Sequence, residues 1–123
     1  MLAESELVAF VTTTDADRAA EFYGWVLGLP LVERTPFAVV VKAANATLRV
    51  ALAERVTPAA GTVLGWRVAN LAAAIDALVA RGVEFKRYES MDQDPRGIWR
   101  SPSGARIAWF TDPDGNVLSM TES

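Results

Sequence analysis

The sequence contains neither cysteine nor histidine among its 123 residues. The absence of cysteine excludes disulfide bonds, thiolate nucleophiles and sulfur-ligated metal sites. Without histidine the chain also lacks the commonest metal ligand and the commonest general base near neutral pH. Neither the usual catalytic triads nor the usual zinc sites can therefore be built from this sequence.

Long apolar runs and basic clusters are missing as well. No stretch of 18 apolar residues occurs, and the N-terminal MLAESELVAF lacks the basic and apolar regions of a secretion signal. The net charge is -3, with no run of Lys or Arg, so we expect neither a nucleic-acid nor a membrane partner. These features predict a soluble cytoplasmic protein.

Two stretches of the chain follow the same pattern. Residues 7–32 align with residues 62–85, and in each a strand is followed by a polar residue, a helical pattern and a glycine. Asp15 in the first stretch and Asn70 in the second stand where they would cap a helix. The glycines coincide after a gap of one residue. The sequence therefore predicts an internal repeat.

Each helical pattern is followed by short runs of β-forming residues. These are LPLVER, FAVVVK and TLRVALA in the first half, and VEFKRY, ARIAWFT and NVLSMT in the second. The turn DPDGN separates the last two runs. The pattern predicts an α+β fold of two βαβββ modules in one domain, with module 1 at about 1–54, a linker at 55–61 and module 2 at about 62–123. A longer loop or lid, residues 90–104, occurs only in the second module.

The segments FYGWVLGL, ALVARGVEF and WFTDPDGNVLS together resemble the vicinal oxygen chelate superfamily. This superfamily includes glyoxalases, extradiol dioxygenases and bleomycin-resistance proteins, and the resemblance extends over almost the whole chain. It implies paired βαβββ modules whose sheets curl around a cavity, which agrees with the internal repeat. It also implies a homodimer, because members of this superfamily usually pair modules across subunits.

In metal-dependent members of this superfamily the ligands come from four places and are typically His or Gln, Glu, His and Glu. The resemblance puts Val8, Ala51, Val63 and Ser119 at these places. Three aliphatic side chains and one neutral hydroxyl cannot hold a divalent cation. Glu6 is the only carboxylate nearby, and one carboxylate does not make a metal site. We therefore expect neither a metal nor another cofactor.

Strand alternation predicts which residues line a ligand pocket, because every second residue on a strand points to the same side of the sheet. Residues that share parity with the four vacated positions, joined by two tryptophans, form the predicted ligand-binding set: Phe10, Thr12, Arg49, Arg67, Trp99, Trp109 and Ser119. This mixture of apolar and polar groups suits a ligand pocket. The opposite parity is predicted to pack on the helices: Leu7, Ala9, Val11, Leu48, Val50, Leu52, Leu64, Trp66, Val68, Leu118 and Met120.

Structural roles for the same residues stay open. Arg49 and Arg67 are equally well explained by ion pairs with Glu6 or Glu54 at a sheet surface. The tryptophans are also explained as core residues, because large apolar side chains are usually buried. The DPDGN segment departs from a calcium loop where that loop needs Gly and Glu, and it indicates a hairpin turn.

Three functions follow as hypotheses. The first is metal-independent small-molecule binding of the sequestration or resistance type, similar to the bleomycin-resistance branch. The second is a metal-independent lyase or isomerase in which Glu6 is the base and Arg49 or Arg67 holds a developing anion. The third, a metal-dependent glyoxalase or dioxygenase, requires ligands that the sequence lacks. The first is the function that we predict.

Overall fold

Each half of the chain forms its own four-stranded sheet. In the computed structural model, which describes residues 1–123, the chain divides into two units, Met1–Thr57 and Pro58–Ser123. Each unit contains one sheet and one main helix. The α+β fold class predicted from the sequence is confirmed.

The first unit runs in the order strand, helix and three strands. After a 3-10 turn at Leu2–Glu4 come β1 (Leu7–Thr13), α1 (Ala16–Ala20) with a π-helical continuation at Glu21–Val26, β2 (Leu31–Arg34), β3 (Ala38–Ala43) and β4 (Ala46–Leu52). The strand order in the sheet is β1-β4-β3-β2, in which β1 and β4 are parallel and the other pairs antiparallel. The βαβββ prediction for this half is confirmed.

The second unit has the same sheet order with different trailing strands. Its elements are β5 (Leu64–Arg67), α2 (Leu71–Ala80), β6 (Trp99–Arg100), β7 (Arg106–Thr111) and β8 (Val117–Glu122). They form the sheet β5-β8-β7-β6, again with one parallel pair, β5 with β8. The segment VEFKRY, predicted as a strand, contributes only one bridge, between Phe85 and Phe110. The prediction of a strand there is wrong.

Gln93 explains why residues 83–88 do not form a regular strand. Its side-chain oxygen accepts a hydrogen bond from the Tyr88 N–H at 2.7 Å, and its side-chain nitrogen donates to the carbonyl oxygens of Lys86 at 3.0 Å and Gly97 at 2.8 Å. These bonds occupy backbone groups that a neighbouring strand would otherwise pair. The guanidinium of Arg87 also donates to backbone carbonyls of the following loop.

Both helices begin at the residues that the sequence predicts. The Asp15 carboxylate accepts from the Arg18 N–H at 3.1 Å, and the Asn70 side chain accepts from the Ala73 N–H at 3.0 Å. Each bond satisfies one of the amides that a helix leaves unpaired at its start. The glycines that follow the two helices, Gly28 and Gly82, have φ angles of 74° and 95°, which glycine adopts without a steric penalty.

The DPDGN segment is a hairpin turn between β7 and β8, as predicted. Asp112 is buried, and its carboxylate accepts from the N–H groups of Asp114 at 3.0 Å and Asn116 at 2.9 Å. Gly115 has a φ of 89° and donates its N–H to the Asp112 carbonyl. The carboxylate of Asp112 thus holds the turn together.

Apolar side chains of the parity predicted to face the helices form the core of each unit. Val50 and Leu118 are fully buried, and Val11 is nearly so. In the first unit α1 lies against β3 and β4, and in the second α2 lies against β8. The prediction is wrong for Leu7 and Leu52, which are 67% and 45% exposed because they are the first residue of β1 and the last of β4. No helix has the length and apolar character needed to cross a membrane.

Candidate functional site

The residues predicted to bind ligand in the first half share one face of its sheet. Phe10 and Arg49 are direct neighbours in the pairing of β1 with β4, and Thr12 follows opposite Ala51. Phe10 is 64% exposed, whereas Arg49 is half-buried. This face therefore presents an aromatic ring next to a guanidinium, on the side opposite the core residue Val50.

Glu6 lies at the start of this face, and its carboxylate is already engaged. It accepts hydrogen bonds from the Lys42 ammonium at 2.6 Å and from the Thr47 hydroxyl. The bond from Lys42, followed by that from Thr47, lowers the pKa of Glu6 below its ordinary value. A carboxylate with a lowered pKa is a weaker base, so this geometry favours a surface ion pair over general-base catalysis.

We expect the substitution Lys42→Met to raise the pKa of Glu6 toward its ordinary value of 4.5. The ion pair contributes stability above the unfolded-state pKa, and this contribution is lost as the pH falls through the lower folded-state pKa. NMR titration of the side-chain carboxyl groups measures the change. Asp76, whose pKa is lowered by Arg96, is the internal control and should titrate as before. An unchanged Glu6 titration would contradict the pairing.

Arg49 and Arg67 do not form the ion pairs that offered a structural explanation for them. Lys42 takes the place beside Glu6, and no ion pair or side-chain hydrogen bond involves either guanidinium. Arginine matches planar anionic groups such as carboxylates through its two-pronged hydrogen bonding. Both guanidinium groups are therefore free to bind an anion.

The other predicted residues share one face of the second sheet. Gly65, Ser119 and Trp109 form a row across β5, β8 and β7, and Arg67 lies two residues beyond Gly65 on β5. Ser119 is only 9% exposed, yet its hydroxyl has no hydrogen-bond partner. Trp109 is half-buried, and Arg67 is exposed. This row therefore consists of a glycine, a hydroxyl without a partner and an indole ring.

Two further aromatic rings pack on Trp109, the aromatic member of this row. The ring centres of Trp99 and Trp109 are 6.1 Å apart, and Tyr88 packs edge-on against Trp109 at 5.5 Å. We call Tyr88, Trp99 and Trp109 the aromatic cluster. Tyr88 was missed in the sequence because its segment was predicted as a regular strand, whose register with β7 the sequence pattern does not specify.

The loop that precedes Trp99 is held by polar contacts. Arg96 makes a two-pronged ion pair with Asp76 of α2, with both N–O distances at 2.9 Å. Asp94 accepts from the backbone N–H groups of Arg96 and Ile98, each at 2.9 Å. These contacts, together with those of Gln93, fix the conformation of the segment that leads into β6 and so position Trp99 in the aromatic cluster.

A family model for the Glyoxalase/Bleomycin resistance protein/Dioxygenase superfamily matches residues 7–120. The chain belongs to this superfamily. The match extends over both sheets and includes every predicted ligand-binding residue. No curated protein matches the sequence.

Solved structures of the superfamily share the fold at low sequence identity. A superfamily member from Sphaerobacter thermophilus superimposes with a TM-score of 0.76 and 23% identity, covering 100% of both chains. A lactoylglutathione lyase from Agrobacterium tumefaciens has a TM-score of 0.74 and 18% identity, covering 98% of this chain and 94% of its own. A glyoxalase/bleomycin resistance protein/dioxygenase from Alicyclobacillus acidocaldarius has a TM-score of 0.75 and 19% identity, covering 97% and 91%. At these identities the likeness shows the fold alone.

The residues that the resemblance puts at the superfamily's metal positions do not fit a metal ion, and the register of β1 with β4 pairs Val8 with Thr47 and Ala51 with Thr12, so these two do not lie side by side. The side chains of Val8, Ala51 and Val63 have no donor atom, and that of Ser119 offers one neutral hydroxyl. Nowhere does the structure bring three or more His, Cys, Asp or Glu side chains together in a way that could hold a metal ion. This superfamily member therefore lacks the metal ligands.

Proposed function

We propose that this superfamily member binds a small, partly aromatic molecule without a metal ion and acts by sequestration or resistance rather than by turnover. The observation that carries the proposal is the pair of unpartnered polar groups, Ser119 and Arg67, beside the aromatic cluster. The Ser119 hydroxyl is in a buried position, where polar groups normally find hydrogen-bond partners, and the exposed Arg67 guanidinium has no anionic partner. A ligand that lies on this face would supply them.

The first sheet supports the same function. Phe10 and Arg49 again combine an aromatic surface with an unpaired guanidinium, and Thr12 adds a hydroxyl on the same face. Ligand pockets are typically apolar surfaces with a few polar groups that orient the ligand. The proposed binding residues are therefore the seven predicted from the sequence.

A homodimer is part of the proposal. Several large apolar side chains around β2 are more than half exposed, among them Leu31 at 55%, Val32 at 60% and Phe37 at 74%. Exposed apolar surface of this kind marks interaction sites on many proteins. Sedimentation at micromolar concentration should give twice the 13.3 kDa mass of the chain, and a monomer at every concentration would remove this part of the proposal.

The cytoplasmic location stays a prediction.

The enzymatic alternatives receive less support. A lyase or isomerase needs a base, and the pKa of Glu6 is lowered by Lys42 and Thr47. A metal-dependent glyoxalase or dioxygenase needs ligands at positions where Val8, Ala51 and Val63 stand. Elemental analysis that found stoichiometric metal in the purified protein would overturn metal-independent binding.

Thermal-shift screening of metabolites and antibiotics tests the binding function. We expect at least one planar aromatic compound to raise the melting temperature, since a ligand at 100 times its Kd stabilises the folded state by about 2.7 kcal/mol. Trp109→Leu should abolish this shift, because it removes the central ring of the aromatic cluster. Trp25→Leu, at a ring that is 60% exposed on the first helical segment, is the matched control and should retain it. A panel without any shift would count against the proposal.

A further inference from the structure

The second sheet has a notch beside the aromatic cluster. Gly65 is exposed and has no side chain, so the surface of β5 is low beside Ser119 and Trp109, and only the Ser119 hydroxyl covers the glycine. A Cβ atom built on Gly65 would lie 2.8 Å from the Ser119 Oγ, which shows that the hydroxyl itself projects over the glycine. The floor of the notch is therefore backbone and a hydroxyl, and one wall is an indole ring.

The hydroxyl in this notch is positioned for a ligand. Ser119 is 9% exposed and its Oγ has no hydrogen-bond partner. No buried side-chain oxygen or nitrogen is left unsatisfied in the structure, so this oxygen must be reachable from outside. A hydroxyl that is mostly buried, has no protein partner and can still be reached would gain a hydrogen bond from a small molecule that enters.

Arg67 is the charged side chain that the strands put on this face, and the Lys86 ammonium lies beside the aromatic cluster, 5.6 Å from the Tyr88 ring centre. Of the side chains that β5 to β8 direct to this side, only Arg67 is charged, and it makes no ion pair. It lies two residues from Gly65, or about 6.6 Å along the strand. A guanidinium binds a carboxylate through two parallel hydrogen bonds. One such group matches a singly charged anion whose ring lies over the notch.

From these observations, and resting on the proposed binding function, we infer that the second module recognises a planar aromatic carboxylate. The ring lies over Gly65 with its edge toward Trp109, the carboxylate pairs with Arg67, and the Ser119 hydroxyl bonds a polar substituent or the ring face. A flat ring fits because a thicker, saturated ring would meet the Ser119 Oγ above the glycine backbone.

Isothermal titration with three probes tests the class of ligand. The probes are 2-naphthoate, the neutral 2-naphthalenemethanol and the saturated decahydronaphthalene-2-carboxylate. We expect 2-naphthoate to bind at least about tenfold more tightly than either of the others. The alcohol lacks the charge that pairs with the guanidinium, and the saturated compound lacks the flat ring. Equal binding of all three probes, or tightest binding of the neutral or saturated one, would overturn the inference.

A pair of variants tests whether Arg67 binds the carboxylate. Arg67→Gln should raise the Kd of 2-naphthoate about tenfold and leave that of 2-naphthalenemethanol unchanged. Arg100→Gln is the matched control, because Arg100 lies in the same sheet opposite Arg106, on the face away from Arg67. Equal losses in the two variants would place the carboxylate elsewhere and overturn the assignment.

The notch is tested by filling it. Gly65→Ala should raise the Kd of the two aromatic probes about tenfold, because the added methyl group occupies the floor of the notch. The double variant Gly65→Ala with Ser119→Ala relieves the 2.8 Å contact with the hydroxyl while keeping the methyl group, so it should fold normally and still bind weakly. Circular dichroism melts check folding. Full binding by the double variant would contradict a ligand in the notch.

The outcomes separate this inference from the function on which it rests. If the naphthalene probes do not bind but the wider screen yields a ligand of another class, the inference is wrong and the binding function stands. If neither the probes nor the screen yields a ligand, the binding function is wrong and the inference falls with it.

Discussion

Replacement of Phe110 by alanine is expected to lower the free energy of unfolding by about 3–5 kcal/mol. Phe110 is 1% exposed near the end of β7, opposite the fully buried Leu118, and its ring centre lies 5.3 Å from that of Phe85. Truncation removes the apolar contacts and leaves a cavity between sheet and helix-side neighbours that cannot fully close. Equilibrium denaturation with urea, followed by circular dichroism, measures the loss.

Two companion variants define the result. Phe10→Ala makes the same chemical change at a ring that is 64% exposed, and it should alter stability by no more than about 0.5 kcal/mol. Phe110→Leu keeps most of the apolar volume and should fold even if Phe110→Ala does not. Equal losses for Phe10→Ala and Phe110→Ala would show that burial does not govern stability at these positions.

The variant Gln93→Leu is expected to lower the free energy of unfolding by about 2–4 kcal/mol, because it removes three hydrogen bonds to backbone groups. The Tyr88 N–H and the carbonyl oxygens of Lys86 and Gly97 would lose their partner. Since these bonds shape the segment that leads to Trp99, the aromatic cluster should loosen as well. Denaturation gives the global effect, and hydrogen exchange at the Tyr88 amide gives the local one.

The neighbouring Asp92→Leu is the matched control for this change. Asp92 is exposed and makes no hydrogen bond to the loop, so its replacement introduces the same side chain one residue away without removing a backbone partner. Protection of the Tyr88 amide should be retained in Asp92→Leu and reduced in Gln93→Leu. Equal protection in the two variants would show that the Gln93 side chain does not hold the segment.

Local patterns account for the parts of the fold that the sequence predicted. Asp15 and Asn70 each bond an amide three residues away, so the start of each helix depends only on neighbours in the chain. Strand alternation is also local, and it assigned Arg49 and Ser119 to the faces that they occupy in their sheets. The departures at Leu7 and Leu52 arise at strand ends, where alternation no longer implies a covering helix.

Contacts that depend on register or on single side chains could not be predicted. Lys42 reaches Glu6 because β3 aligns with β4 in one register, and nothing in the sequence pattern specifies that alignment. The segment at residues 83–88 has the composition of a strand, yet the Gln93 amide takes the backbone groups that would have built a ladder. The notch at Gly65 likewise depends on its pairing with Ser119 across β5 and β8.

The π-helical segment at Glu21–Val26 accounts for a difference in length between the two halves. One residue more separates Asp15 from Gly28 than separates Asn70 from Gly82, although both stretches connect a capped start to a glycine with positive φ. A π-helical turn takes up one additional residue within a helix while its two ends stay in place. If the halves arose by duplication of one ancestral unit, the first copy accommodated a single-residue insertion as a wider helical turn, and the strands on either side kept their alignment.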